Sequence, residues 1–217
     1  MPDEKKKNEI SVIVFDLGNV LIPFNYDEFL HELDSREKGL GDEFALKYKE
    51  YYDVHRNFEK GKISKQEFLE IVMEWTNFQM TEEEFCFYFS NIFTVNTEAV
   101  ELLPYLKKSY TLVLLSNTNE IHMKYGWQKY KFLENFDKLI LSHEVGAVKP
   151  EVKIYKAVEN FTLKPPEAHL FIDDIKEYAE AAEKLGWNAI HFTDNKNLFD
   201  ELKSLEINLN GFDSGRT

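Results

Sequence analysis

A run of apolar residues, Ser11-Val-Ile-Val-Phe15, ends on a single carboxylate at Asp16 and is followed at once by Leu17-Gly18-Asn19-Val20. Unbroken Val/Ile/Phe runs of this length belong to strands buried on both faces, as in parallel sheets covered by helices. Open sheets of that kind bind ligands just beyond the carboxyl ends of their strands, and Asp16 stands at that place. Taken alone, an aspartate there also reads as a turn cap, so its meaning depends on the rest of the chain.

Four further runs have strand character: Thr111 to Leu115, Lys138 to Leu141, His169 to Ile172 and Asn188 to Phe192. Between them lie segments with helical spacing, such as Val152, Tyr155, Ala157, Val158 and Phe161, or Ala179, Ala182 and Leu185 ahead of a helix-stopping Gly186. Strands alternating with helices predict an α/β fold, a Rossmann-like parallel sheet core in three layers. The interval after the first strand breaks this rhythm, because a single crossover needs far less chain. From Tyr26 to Phe93 the pattern is helical throughout, and Ser64 with Glu67 and Thr81 with Glu84 are capping boxes that each open a helix. The expected layout is therefore a core of residues 10–22 and 96–205, a helical cap bundle of residues 23–95 inserted after the first strand, and flexible tails at 1–9 and 211–217. The cap's Phe and Tyr stripes are expected to form the bundle's own core.

A chain of 217 residues with 43% hydrophobic content can bury a full core, and its net charge of −13 argues against a nucleic-acid surface. The one basic run, Lys5-Lys6-Lys7, sits in a polar lead-in beside Asp3 and Glu4. Cys86 is the only cysteine, flanked by Phe85 and Phe87, so it reads as a small buried thiol in a reducing cytoplasm. Neither a signal peptide nor an apolar run of ~18 residues is apparent, so no membrane partner is expected. The default oligomeric expectation is a monomer, with the aromatic-rich cap as the place where a dimer surface would lie.

The pattern at Asp16 recurs at three more strand ends. Thr111-Leu-Val-Leu-Leu runs into Ser116-Asn117-Thr118-Asn119, Lys138-Leu-Ile-Leu-Ser is followed by Lys149-Pro150, and His169-Leu-Phe-Ile ends in Asp173-Asp174. Each has an ordinary explanation as a helix cap, a loop or a turn. Their occurrence together, in one order, points to polar groups converging on one sheet edge.

In these four motifs the chain resembles the haloacid dehalogenase superfamily, and the resemblance extends from about residue 10 to residue 205. Asp-Leu-Gly-Asn-Val and Ser-Asn-Thr-Asn are similar to the branch of small sugar-phosphate phosphatases, glucose 1-phosphate phosphatases among them, and to the amino-terminal phosphatase domain of soluble epoxide hydrolase. The phrase Glu59-Lys60-Gly61-Lys62-Ile63-Ser64 that opens a cap helix belongs to the same resemblance. It implies a phosphoric monoester hydrolase acting on a small phosphorylated metabolite such as a hexose 1-phosphate. Asp16 would be the nucleophile, forming an aspartyl-phosphate. Mg²⁺ would be held by Asp16, the backbone carbonyl of Gly18 and Asp174, with Asp173 supporting them by pairing with Lys149. Lys149 and Ser116 would face the transferring phosphoryl group, with Asn117 beside them as a further substrate contact at a helix start.

One departure stands out. The usual phosphatase pattern has a second aspartate two residues after the nucleophile as general acid, a group worth ~10²- to 10⁴-fold, and here that position is Gly18. A leaving group that needs little help, such as an anomeric hydroxyl, would suit its absence. Otherwise the cap would supply the proton, with His31, His55 and Asp53 as candidates, although each reads first as a solvated helix residue. Asn19 reads as a turn residue. Two alternatives follow from the same departure: a phosphate-binding protein that kept the fold without turnover, and a metal-free 2-haloacid dehalogenase. The acidic pair Asp173-Asp174, where dehalogenases carry Ser-Ser-Asn, argues against the second.

Overall fold

The computed structural model describes residues 10–209 together with Gly211 and Phe212. The basic Lys5-Lys6-Lys7 segment and residues 213–217, both expected to be loose, lie outside them. Strands β1 (Val12–Phe15), β2 (Thr111–Ser116), β3 (Lys138–Leu141), β4 (His169–Asp173) and β5 (Asn188–His191) form one parallel sheet in the order β3-β2-β1-β4-β5.

The strands are apolar throughout because both faces are covered, and the two-residue side-chain period sorts them. Ile13, Phe15, Leu112, Leu114, Leu170 and Ile172 point into one hydrophobic layer, and Val12, Val14, Val113, Leu115 and Phe171 into the other. The first layer is closed by α6 (Thr97–Leu106) and α10 (Asn195–Ser204), the second by α8 (Val152–Thr162) and α9 (Lys176–Lys184). Each fully buried aliphatic side chain contributes ~1.5–3 kcal/mol, so both layers are needed. In α8 the buried positions are Ile154, Tyr155 and Val158, whereas Val152 and Phe161, read as part of its apolar stripe, are exposed.

Between β1 and α6 the chain makes five helices, α1 (Asp27–Arg36), α2 (Leu40–Glu50), α3 (Tyr52–Glu59), α4 (Lys65–Trp75) and α5 (Glu82–Ser90), packed around a separate core. That core is largely aromatic, with Phe29, Phe44, Phe58, Phe68, Phe85 and Phe89 all buried, and Cys86 sits among them. Both capping boxes are formed: the backbone amides of Glu67 and Glu84 donate to Ser64 Oγ and Thr81 Oγ1 at 3.2 Å, and the two glutamates accept in return from the Ser64 and Thr81 amides at 2.7 Å. The two segments that join this bundle to the sheet run side by side, with Asn25 N donating to Ile92 O at 3.0 Å and Thr94 N to Pro23 O at 2.9 Å.

At the carboxyl terminus Phe212 departs from the expectation of a loose tail. Its ring stacks on Phe199 and meets Tyr105 edge-on, at centroid distances of 5.5 and 5.3 Å. No helix among the described residues is long and apolar enough to cross a membrane.

Candidate active site

Strand register assembles the site. Phe15 lies beside Leu114 and Ile172, so the next residue of each strand, Asp16 in one case and Asp173 in the other, emerges at the same carboxyl edge, with Ser116 alongside. Lys149 arrives from the loop after β3 and the short helix α7 (Ser142–Val145), and its ammonium group is buried between the carboxylates. Lys149 Nζ stands 2.8 Å from Asp16 Oδ1 and 2.6 Å from Asp173 Oδ2, and 5.3 Å from the Tyr178 ring centroid. Backbone amides orient the carboxylates too, at the same Oδ1 in Asp16 and at the other oxygen in Asp173. Leu17 N donates to Asp16 Oδ1 at 2.7 Å, and Ile175 N donates to Asp173 Oδ1 at 2.8 Å. Asn19 Nδ2 donates to Asp174 Oδ2 at 3.0 Å. Asp173 thus spends both oxygens on the protein.

Asp16, Asp173 and Asp174 each offer a carboxylate oxygen, and these oxygens lie within 4.8 Å of one another. One ammonium against three carboxylates leaves the cluster short of positive charge. Burial raises the Asp16 pKa to about 7, and the charges of Asp173 and Asp174 add to that against the pull of Lys149. Asp174 is raised as well, chiefly by burial. Burial alone would lower Lys149, but Asp16 and Asp173 outweigh it and hold the ammonium above its ordinary pKa, so it stays charged. An all-oxygen donor set lacking positive charge suits a hard divalent cation. Asp16, the free lone pair on the Gly18 carbonyl and Asp174 are the groups left to bind one, since Gly18 O accepts a single bond, from Val20 N at 2.6 Å.

A cavity of about 290 Å³ separates this edge from the helical bundle. Gly18 and Ser116 form its floor, Tyr26, His55 and Glu59 come from the bundle, and His122 comes from the helical turn His122–Trp127 after β2. That volume is at the lower limit of ordinary ligand pockets, ~300–1,000 Å³, so it fits a small molecule. The Ser116 hydroxyl is buried at the floor, and its one protein contact, to Asn117 O, is a long 3.5 Å.

No family model matches the chain. It is 28% identical over 185 residues to a D-ribitol-5-phosphate phosphatase of Bacteroides thetaiotaomicron, covering 82% of this chain and 89% of the relative. A HAD family enzyme of the same organism, solved in complex with magnesium and inorganic phosphate, superposes with a TM-score of 0.74 at 27% identity, covering 88% of this chain and 99% of that one. A predicted HAD-like hydrolase of Porphyromonas gingivalis gives 0.75 at 25% identity, covering 91% and 98%. In sequence and in fold the chain is similar to haloacid dehalogenase-like hydrolases. An L-2-haloacid dehalogenase of Xanthobacter autotrophicus shares the fold, with a TM-score of 0.58 at 18% identity over 91% of this chain and 84% of that one.

Within this HAD-like site, Asp16, Gly18, Ser116, Lys149, Asp173 and Asp174 are brought together. Asn117 lines the cavity, and its side-chain amide has a structural role besides. Its Oδ1 accepts from Lys149 N at 2.8 Å and its Nδ2 donates to Lys149 O at 3.2 Å, so its amide positions the lysine's backbone. Asn19 is more than a turn residue: its left-handed backbone, φ 54°, lets its amide reach Asp174.

Of the three cap groups considered as proton donors, His31 and Asp53 are exposed as expected. His55 is not solvated: it is 6% exposed and lines the cavity. The place of the missing general acid is taken by an aromatic ring, since a Cβ on Gly18 would meet Phe24 Cε1 at 3.3 Å. Sequence reasoning passed over His122 and Arg56 entirely. The only signal for either was its proximity to a motif, Ser116-Asn-Thr-Asn119 in one case and Glu59-Lys-Gly in the other.

Proposed function

We propose that this protein is a magnesium-dependent phosphomonoesterase acting through an aspartyl-phosphate on a small polyhydroxylated metabolite, a sugar or sugar-alcohol phosphate. The observation that carries this reading is the buried Lys149 bridging Asp16 and Asp173 while Asp174 is held nearby by Asn19. Magnesium, held by Asp16, the Gly18 carbonyl and Asp174, would act as a hard Lewis acid on the phosphoryl oxygens.

Asp16 is fixed by the Leu17 amide and Lys149, so a carboxylate oxygen can attack phosphorus in line without reorganising. The Asp16 O–P bond forms as the ester P–O bond breaks, and the departing alkoxide takes its proton from water, since no acid stands at Gly18. Water then hydrolyses the acyl phosphate, releasing inorganic phosphate and restoring the carboxylate. Lys149 offsets charge on the transferring group, and the Ser116 hydroxyl donates to it. Asp173 and Asn117 hold Lys149 from its two ends.

Support for the substrate class comes from the small cavity and from the relative named for D-ribitol 5-phosphate. That ester is formed by a primary alcohol, whereas an anomeric phosphate such as hexose 1-phosphate has the better leaving group and is the member of the class that suits the absence of an acid at Gly18. The test is turnover of an aryl phosphate, whose leaving group needs no acid, with and without Mg²⁺, in wild type and Asp16→Asn. The expected result is Mg²⁺-dependent turnover, lost in the variant, with phosphate trapped on the Asp16 peptide after acid quench. Wild-type protein that binds phosphate but turns over no aryl phosphate would instead make it a phosphate-binding protein.

A further inference from the structure

Two side-chain nitrogens at the roof of the cavity lack hydrogen-bond partners although they are buried, His55 Nδ1 and His122 Nε2. An unpaired buried polar atom costs ~1–3 kcal/mol, so two in one pocket are a marked expense. Their chemistry is fixed by what holds the opposite side of each ring. Asn119 Oδ1 accepts from the His122 amide at 2.9 Å, which orients the Asn119 amide so that its Nδ2 donates to His122 Nδ1 at 3.3 Å. His122 Nδ1 is therefore an acceptor, and in the neutral ring the proton sits on Nε2. The Phe89 backbone carbonyl is also hydrogen-bonded weakly to this imidazole and favours its charged form, but the contact falls outside the geometry of a full hydrogen bond and leaves Nε2 without a proper partner.

On the facing ring, His55 Nε2 lies 3.3 Å from Glu59 Oε1 and must donate to it, which leaves Nδ1 as a lone pair in the neutral ring and as a second N–H in the charged one. The two rings are 6.2 Å apart, centroid to centroid. Glu59 is the one carboxylate lining the cavity, and no lysine or arginine lines it. Its second oxygen is taken by Arg56 at 2.9 Å.

A hydroxyl is the group that answers both nitrogens, since its oxygen accepts from His122 Nε2–H and its proton is available to His55 Nδ1. If His55 is charged, the same oxygen has a second lone pair. A carboxylate or second phosphate could accept only, and would stand beside Glu59, which already engages His55 and Arg56, with no lysine or arginine among the described lining residues to pair with. We propose that His55 and His122 form the specificity site of this hydrolase, taking one hydroxyl of the leaving alcohol, and that Glu59 excludes substrates carrying a second anionic group. The inference rests on the phosphomonoesterase reading and names which part of that substrate class is accepted. Both nitrogens are closed to solvent in this conformation, so the hydroxyl reaches them with a shift of the bundle or of the two rings.

The test compares kcat/KM for D-ribitol 5-phosphate, its monodeoxy analogues and D-ribonate 5-phosphate, whose terminal carbon is a carboxylate, in wild type and in His122→Phe. Loss of the recognised hydroxyl should lower wild-type kcat/KM by roughly 5- to 150-fold, the cost of a buried group left unpaired. The same ratio should collapse towards unity in the variant, whatever its absolute activity. Ribonate 5-phosphate should be turned over more slowly than ribitol 5-phosphate by a similar factor. Ratios that are the same in both proteins, or ribonate accepted as well as ribitol, would overturn the proposal.

Should His122→Phe fail to fold, histidine ¹⁵N spectra of the wild type titrated with D-ribitol give a second readout. Shifts at His122 Nε2 and His55 Nδ1 are expected, and unchanged signals at saturation would overturn the inference. Failure of aryl phosphate turnover, in contrast, refutes the underlying phosphatase reading and leaves this titration as the arbiter of the hydroxyl site.

Discussion

Replacing His122 by glutamine should change how stability depends on pH, and the structure sets both sign and size. Burial lowers the His122 pKa from 6.5 to about 3, with nearby His55 acting in the same direction and Glu59 weakly against it. The folded protein therefore keeps this imidazole neutral while the unfolded chain protonates it near pH 6.5. Across the window from about 6.5 down to about 3, the unfolded state binds more protons, so stability falls as the solution is acidified. By pH 5 the single group accounts for about 2 kcal/mol, set against almost nothing at about pH 7.5. For a chain of this length that is roughly 4–8 °C in Tm.

Other groups titrate in the same range, and Asp16, with its raised pKa, works in the opposite direction. The comparison that isolates His122 is thus between wild type and His122→Gln, each unfolded by urea at about pH 7.5 and at about pH 5. The glutamine loses the bond from Asn119 at both values, so that offset cancels. The wild type should lose about 2 kcal/mol more than the variant between the two conditions. Equal losses to within about 0.5 kcal/mol would mean that His122 is not held neutral by its surroundings, and the acceptor role assigned to its Nδ1, from which the tautomer was read, would fall with it.

Two further outcomes follow from the same geometry. Lys149→Met leaves Asp16 and Asp173 buried beside one another without their cation, so thermal unfolding at neutral pH should show about 3–5 kcal/mol of destabilisation; a loss under about 1 kcal/mol would refute the claim that this lysine is the cluster's essential counter-charge. Arg56→Ala removes the side chain that bonds Glu59, Tyr178 and the Lys149 carbonyl together, so kcat and KM should change jointly, with kcat/KM down roughly 10-fold and amide exchange faster along α3. A change in Tm alone would reduce Arg56 to a structural role.

The parts of this molecule that were legible in its sequence are those governed by local rules. Strand runs buried on both faces, the two capping boxes and the glycine after α9 depend on neighbours a few residues away, and they stand where the pattern places them. What escaped depends on long-range contact. Helix α3 lies within the stretch expected to be helical, but His55 reads there as solvated, whereas it and Glu59 face inward with Phe58 and their charges are satisfied within the bundle. The stripe in α8 was misplaced because Ile154, and not Val152, meets the sheet. Asn117 beside Ser116 reads as a ligand contact, but that its side chain also holds a backbone 32 residues away is something no local rule shows. His122 had only its nearness to Ser116-Asn-Thr-Asn119 to mark it; the folded cavity is what shows that its Nε2 is unanswered.

The two halves of the site are mechanically one object. Arg56 donates to Glu59 Oε2 and Tyr178 OH at 2.9 Å and reaches the Lys149 carbonyl at 3.4 Å, so one guanidinium grips both the carboxylate of the cavity and the lysine of the acidic cluster. Beside it Lys60 pairs with Glu151, and Gly61 approaches so closely that a Cβ there would stand 2.5 Å from the His143 carbonyl. Its φ of 62° also favours glycine. These contacts all connect the α3 end of the bundle to the loop and helix that carry Lys149. Lifting the bundle to admit a substrate must therefore loosen the backbone under Lys149, and seating it again restores the lysine between Asp16 and Asp173. Binding energy gained at the His55–His122 roof is thereby spent on ordering the phosphate-handling floor. On that arrangement a truncated substrate should lose turnover rate as well as affinity, because remote contacts that help assemble the reacting centre act on kcat.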